Sequence, residues 1–429
     1  MDIKYIRDNQ EVVRNAILNK QAKVNLDELL ALDERRRKIL EEKEGMQAEQ
    51  NRKSKGPQTP EDLIELKGLK ERIRVIEDEF KTVEIEYKKL LSLIPNVPTS
   101  DTPVGPDASG NVVIRKWGKL PSFNFQPKEH SELGEALGII DIARAGKVSG
   151  TRFGYIMGQL ALMQFAIINL VLKTVTNEGL LKKIAKKSGL ITTPKPFIPV
   201  IPPVFIKPDS YQRMARLEPK DERYYIPSDD IYLIGSAEHT LGALHMDETF
   251  TESDLPMRYI GYSTAFRREA GSYGKDTKGI LRVHQFDKLE FESFTSAEDS
   301  LIEQDFIVSI QEYLLQQLGL PYQVVMVCTG DMGGPDARQI DIETWMPGQN
   351  MYRETHTSDM NTDYQSRRLQ TKVKRSNGQT ELVHMNDATA FAIGRILIAI
   401  MENYQTDTGT IIVPKVLRKH MGGLREIKG

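Results

Sequence analysis

The 429-residue chain contains one cysteine, Cys328, so it can form no intramolecular disulfide and offers no cysteine cluster for zinc. That usage fits a reducing compartment, and the cytoplasm is the expected location. Its setting in the apolar run VVMVCTG reads as a buried structural thiol. Net charge is nearly absent too: 58 Lys and Arg against 60 Asp and Glu leave −2. No global basic field draws nucleic acid, so any such contact must rest on local patches, and DNA is not an expected partner. The opening residues MDIKYIRDNQ lack the apolar core of a signal peptide, and export is not expected. The most apolar window, residues 156–172, is interrupted by Gln159, Gln164 and Asn169. It is too short to cross a bilayer comfortably and reads as a buried or interface helix, so no membrane partner is expected. No GxGxxG follows a strand, and neither GxxxxGK[ST] nor HExxH occurs. A nucleotide, if bound, is held without a P-loop or a Rossmann turn, and no structural metal is expected.

What is present begins with charge and heptads. Residues 26–94 are poor in glycine, rich in Glu, Lys and Arg, and broken once by SKGPQTP. Two long helices joined by a turn follow. In the second, Leu66, Leu69, Ile73, Ile76, Phe80, Val83, Tyr87, Leu90 and Ile94 alternate steps of three and four, a seam sustained over four heptads. The first helix carries a weaker stripe, Leu29, Leu32, Ile39 and Met46, with Arg36 and Lys43 at seam-like positions. An antiparallel coiled coil about 45 Å long satisfies both. The cluster Arg35-Arg36-Arg37-Lys38 reads either as a solvated face or as a contact to a phosphate backbone.

Residues 95–109, rich in Pro, Ser, Asp and Gly, read as a linker. The expected domains are therefore 1–109, containing the arm at about 26–94, and 110–429. The second mixes short strands with helices at 156–172, 297–318 and 389–404, without βαβ alternation. It is expected to be α+β, an antiparallel sheet flanked by helices.

The stretch AFRREAGSYGKDTKGILRVHQFDKLEF, residues 265–291, reads as two strands joined by a polar loop. A period of two in the second strand, from residue 280, sets Leu281, Val283 and Gln285 against Arg282, His284 and Phe286. One face can pack on a core while the other presents Arg267, Phe286 and Glu290. A planar cationic fork suits phosphate or carboxylate, a ring can stack on a base, and a carboxylate accepts from ammonium. A nucleotide plus an amino acid would satisfy all three; a merely solvated hairpin is the alternative.

In its detailed form, FRREAGSYGKDTKGILRVHQFDKLE resembles motif 2 of class II aminoacyl-tRNA synthetases, in the version found in seryl-tRNA synthetases. DIETWMPGQN followed by YRET resembles that family's strand before the ATP site, AIGR at 392–395 resembles motif 3, and VPKVLRKHMGG resembles its C-terminal end. The heptad arm stands where the family carries a helical hairpin, so the resemblance covers essentially the whole chain. It implies ATP-dependent, AMP-forming ligation of L-serine to tRNA(Ser), with tRNA(Sec) left open as a second acceptor. It also implies tRNA binding by the arm and a homodimer formed through the motif 1 helix at about 156–172.

Residue by residue, the resemblance implies that Arg267 holds the α-phosphate and the serine carboxylate, that Glu269 approaches the adenine amino group, and that Phe286 stacks on the ring. Arg268, Val283, Thr355 and His356 join the ATP site, and Arg395 meets the γ-phosphate or adenine. Glu354 and Thr357 would ligate Mg²⁺, and Arg267, Glu354 and Arg395 form the catalytic set. Serine would be recognised by Ser236, Ala237, Glu238, Arg267, Glu290 and Thr389. Lys275 and Lys278, in the loop at 271–279, suit a contact to the acceptor end.

Several positions depart from the family's pattern. Arg268 and Ser236 stand where serine and threonine are common, and Asp387 replaces a usual asparagine, adding an acceptor to a carboxylate-rich site whose ionisation Arg395 or another donor must offset. The segment 179–219 is atypical, and MARL at 214–217 replaces a TGQLPKF-like segment. A non-catalytic RNA-binding or regulatory paralogue, and a ligase loading an amino acid onto a carrier protein, remain as alternatives.

Overall fold

The computed structural model describes residues 1–56, 58–270 and 278–429. The chain divides into two compact units, Met1–Val97 and Pro98–Gly429.

The first unit opens with two short helices that carry no strong sequence signal, α1 (Ile3–Asp8) and α2 (Gln10–Asn19). The long pair follows as α3 (Leu26–Lys53) and α4 (Pro60–Leu93). Asn25 caps α3 through its side chain, while Thr59 and Asp62 form a reciprocal capping box around Pro60 at the start of α4. Along α4 the buried residues Leu69, Ile73, Ile76, Val83 and Tyr87 all belong to the heptad seam. The first four meet Ile39 and Met46 of α3, while Tyr87 packs with Leu26 and Leu29. Arg36 enters the seam as an amphipathic residue, its guanidinium 5.0 Å from the Tyr87 ring centroid and 5.8 Å from that of Phe80, with Glu84 as its ion partner. Its neighbours in the basic cluster pair within the arm as well: Arg35 with Glu79 at 2.8 Å, Arg37 with Asp33 at 3.2 Å and Lys38 with Glu34 at 2.6 Å.

The second unit starts earlier than composition suggested. Thr99 donates its N–H to the Ala337 carbonyl at 2.9 Å, and Thr329 donates to Pro103 at 2.9 Å. A Pro- and Gly-rich stretch lacks regular structure without lacking packing, so residues 98–109 belong to this unit and the boundary falls at Val97 rather than 109.

Its centre is an eight-stranded sheet. In chain order the strands are β1 (Val112–Trp117), β2 (Ile198–Val200), β3 (Met257–Phe266), β4 (Gln285–Thr295), β5 (Tyr322–Met326), β6 (Arg338–Met346), β7 (Met351–Thr362) and β8 (His384–Ala392). They lie in the order β1-β5-β6-β7-β8-β4-β3-β2, antiparallel except for β2 on β3. The hairpin strands pair from Phe266 with Gln285 to Met257 with Phe294. Residues 280–284 are irregular, and the second strand begins at Gln285, later than its alternation suggested.

One face of the sheet is covered by α5 (Gly158–Val175), α6 (Ser300–Leu318) and α7 (Ile393–Asn403), which share the largest apolar core with it. Residues 389–392, expected to open the closing helix, instead end β8, a strand buried on both sides whose composition therefore carries no alternation. Arg258 of β3, fully buried, grips Glu303 of α6 through Nε at 2.7 Å and Nη2 at 2.5 Å. Glu402 of α7 accepts from the backbone N–H groups of His130 at 3.2 Å and Gly348 at 2.9 Å, and His130 Nε2 accepts from the Ile280 N–H at 3.2 Å. Among the described residues, α5 alone is long and apolar enough to cross a membrane by length and composition. Its Leu160, Met163, Ile167 and Val171 are buried in the core of this unit.

Candidate active site

With helices sealing one face, strand alternation sends the polar residues of β4, β7 and β8 to the other. On β4 these are Lys288, Glu290 and Glu292, at steps of two, with Phe286 preceding them on the same face. On β8 they are Asp387 and Thr389, and the register sets Glu290 opposite Thr389 and Glu292 opposite Asp387. From the helical side, Gln311 of α6 donates to the Thr389 carbonyl at 2.7 Å and to the Thr357 carbonyl at 2.9 Å, fixing both strands from behind.

Glu354 and Thr357 lie three apart on β7, a spacing that regular alternation would send to opposite faces. The register slips between Ile342 and Glu343, leaving Thr355 without a partner on β6. This bulge returns Glu354 and Thr357 to the same side, where both line one cavity. The same slip carries His356 away from it. His356 is wholly buried, its ring 5.1 Å from that of Phe391 and its Nδ1 2.8 Å from the Thr355 hydroxyl. His356, expected at the nucleotide, therefore belongs to the core face. Thr355 lines the cavity, but its hydroxyl is engaged by Thr344 at 2.7 Å and the Ile342 carbonyl at 3.2 Å.

Among the described residues, two cavities on this face share a wall. One, of about 150 Å³, is lined by Glu269, Val283, Phe286, Glu354, Thr389 and Arg395 among others. The other, of about 450 Å³, is lined by Arg216, Arg223, Glu238, His239 and Asp359. Arg267, Glu269, Arg282, Lys288 and Thr357 line both and join them.

At that junction Arg267 donates Nε to the Gly235 carbonyl at 3.0 Å and lies 5.4 Å from the Phe286 ring centroid. Burial lowers its pKa, and the charges of Arg223 and Arg395 add to the effect, so an anion placed among these arginines would relieve a real repulsion. Arg395, in the first turn of α7, binds Glu354 twice, at its carbonyl (2.8 Å) and at Oε1 (2.9 Å). Glu269, at a positive φ of 53°, faces Arg282 at 3.4 Å. Arg268 lines neither cavity; its guanidinium sits over the Tyr224 ring at 5.7 Å.

Ser236, which lines neither cavity, donates to Glu290 Oε1 at 2.6 Å, and Lys288 pairs with the same oxygen. His239 Nδ1 accepts from the Gly235 N–H at 3.1 Å and so orients the loop carrying Ser236, Ala237 and Glu238. Sequence reasoning missed Lys288, although its place two residues before Glu290 was a usable signal. It also missed Arg216 and Arg223, which approach from loops that obey no period. Lys275 lies outside the described residues; Lys278 lines a separate groove with Arg144 and Lys147.

The donor set at Glu354 and Thr357 fits Mg²⁺, being all oxygen. Asp341, opposite Thr357 on β6, strengthens the fit: burial and the Glu354 charge push its pKa up to about 8, a local excess of negative charge that a hard cation would relieve. Desolvation would raise Glu354, but Arg395, Lys288 and Arg267 outweigh it and hold its carboxyl below the usual range.

An antiparallel sheet with arginines gathered at a stacked phenylalanine on its open face defines a class II aminoacyl-tRNA synthetase core. A family model for the tRNA synthetase class II core domain (G, H, P, S and T) matches residues 223–404, and one for the seryl-tRNA synthetase N-terminal domain matches residues 1–98. A serine--tRNA ligase of Coprothermobacter proteolyticus is 38% identical, covering 98% of this chain and 99% of the relative. That of Caldicellulosiruptor bescii is 39% identical, with the same coverage. The crystal structure of seryl-tRNA synthetase from Pyrococcus horikoshii complexed with ATP superposes with a TM-score of 0.88 at 35% identity, covering 100% of this chain and 99% of that one. The chain belongs to the seryl-tRNA synthetase family.

Burial holds His356 neutral, with its pKa lowered to about 3. Because the unfolded chain takes up that proton near pH 6.5 and the native protein does not, His356 makes stability fall as pH drops from about 6.5 towards 3. The slope is at most about 1.4 kcal/mol per pH unit. Urea unfolding at pH 7 and pH 5 is expected to show a smaller acid loss in His356→Gln than in the parent protein; an unchanged loss would contradict this.

Proposed function

We propose that the chain condenses L-serine with ATP to seryl-adenylate and pyrophosphate, then transfers serine to the 3′ end of tRNA(Ser). The observation that carries this reading is the junction of the two cavities, where Arg267 reaches both a ring suited to stacking and a second pocket that holds Glu238 and Asp359. A serine carboxylate oxygen attacks the α-phosphorus, and the bond to the β-phosphate oxygen breaks. No protein nucleophile is needed; the requirement is alignment and neutralisation of crowded negative charge. Arg267 at the α-phosphate and Arg395 towards the γ-phosphate meet it, while Phe286 stacks on adenine and Glu269 receives its amino group. Mg²⁺ held by Glu354 and Thr357 would supply further neutralisation of the phosphates. Glu290 and Glu238 receive the serine ammonium and hydroxyl beside Ser236 and Thr389, and a pocket whose buried partners would be left unpaired rejects alanine. In the second step the terminal ribose hydroxyl of tRNA attacks the seryl carbonyl, and AMP leaves.

The arm, residues 26–94, gives tRNA a long docking surface, and the reaction belongs in the cytoplasm, where its substrates are. A homodimer through α5 is supported by the apolar residues it exposes on one side, Leu162 (55%) and Phe165 (58%).

Serine-dependent pyrophosphate–ATP exchange is the direct assay, and its absence from folded protein would sink this reading. Arg267→Ala should slow that exchange at least ~100-fold, the usual scale for one preorganised stabiliser of developing charge; a near-normal rate would remove Arg267 from its role. Deleting residues 26–94 should spare exchange and abolish tRNA charging, whereas equal loss of both would refute the division of labour. Leu162→Glu with Phe165→Glu should halve the mass seen by sedimentation, and a persistent dimer would place the interface elsewhere.

A further inference from the structure

Two departures from the family's pattern meet in space. Arg216, from the atypical MARL segment, is partly buried, with 16% of its side chain exposed. Its Nε donates to Glu238 Oε1 at 2.5 Å, and its Nη2 lies 3.2 Å from Asp336, 3.5 Å from Asp387 and 3.9 Å from Asp359. Asp387 also accepts from Asn361 Nδ2 at 2.5 Å.

The sheet explains why a cation is required there. Glu292 of β4 faces Asp387 of β8, and Asp387 faces Asp359 of β7, so three carboxylates stand side by side on adjacent strands. Like charges directly opposite one another destabilise a sheet, and burial sharpens the repulsion. Glu292 is fully buried, and neither of its oxygens has a hydrogen-bond partner among the described residues. Lys288 is engaged by Glu290, one row away. Arg395, the donor first considered for offsetting Asp387, is instead engaged by Glu354.

We infer that Arg216 is a positioning residue of the amino-acid site, holding the Glu238 carboxylate for serine, and that Asp387, which the same guanidinium reaches, is coupled to it. The two positions form one coupled unit. A neutral side chain at 387 would ease the crowding of that row, whereas Asp387 without Arg216 leaves the row of carboxylates without its cation and Glu238 without its anchor. This inference rests on the proposed serine site and names what fixes its geometry.

The test is a double-mutant cycle, Arg216→Gln, Asp387→Asn and both together, read by serine-dependent pyrophosphate–ATP exchange with KM for serine and for ATP determined separately. Arg216→Gln should raise the serine KM at least ~10-fold and the ATP KM less than ~2-fold, and adding Asp387→Asn should recover most of that loss, the mark of coupled neighbours. Equal effects on both substrates, an unchanged serine KM, or a double variant no better than Arg216→Gln would overturn it. If Arg216→Gln does not fold, the double variant decides: a folded protein with a serine KM within ~3-fold of the parent supports the coupling, and an unfolded or equally impaired one refutes it. A parent protein without serine-dependent exchange would instead refute the serine reading itself.

Discussion

The second unit depends on one constraint: an eight-stranded sheet with one face closed by apolar helices has a single side on which to place charge. Every ionisable residue of the central strands must face that side or be buried with a partner, as Arg258 is with Glu303. The site is thus a product of the fold's asymmetry. Arginines, hydroxyls and carboxylates share a surface because the opposite one is closed to them.

Such crowding has a cost, visible in the directions in which groups titrate. Arg267 is lowered by burial and by its fellow arginines, while Asp341, Asp359 and Asp387 are raised by burial and by their fellow carboxylates. Cations and anions both line the two cavities, with Arg267, Arg282 and Lys288 beside Glu269 where they join. A substrate pair with phosphates on one partner and an ammonium on the other is complementary to that mixed lining.

Periodic features were legible in the sequence. The heptad seam named Leu69, Ile73, Ile76, Val83 and Tyr87 because a two-helix arm has one apolar stripe and little else to decide its structure. The hairpin's period of two placed Phe286 and Glu290 on one face, although residues 280–284 proved irregular. Breaks in period were not legible. The bulge at Thr355 sends His356 to the core, and a doubly buried β8 resembles a helix as readily as a strand. Arg216 was visible only as a departure from a family pattern, since a loop residue's destination is set by tertiary packing rather than by its neighbours in sequence.

The eleven-residue helix α7 carries Arg395 in its first turn and Glu402 in its last, and those two side chains are anchored at Glu354 on one side and at His130 and Gly348 on the other. The helix acts as a rigid strut between the cavity and the body of the unit. The rotamer freedom of Arg395, among the largest of any side chain, is therefore lost when the protein folds rather than when nucleotide arrives. The proposed nucleotide contact would then draw on that arginine without the entropic penalty a mobile one would exact.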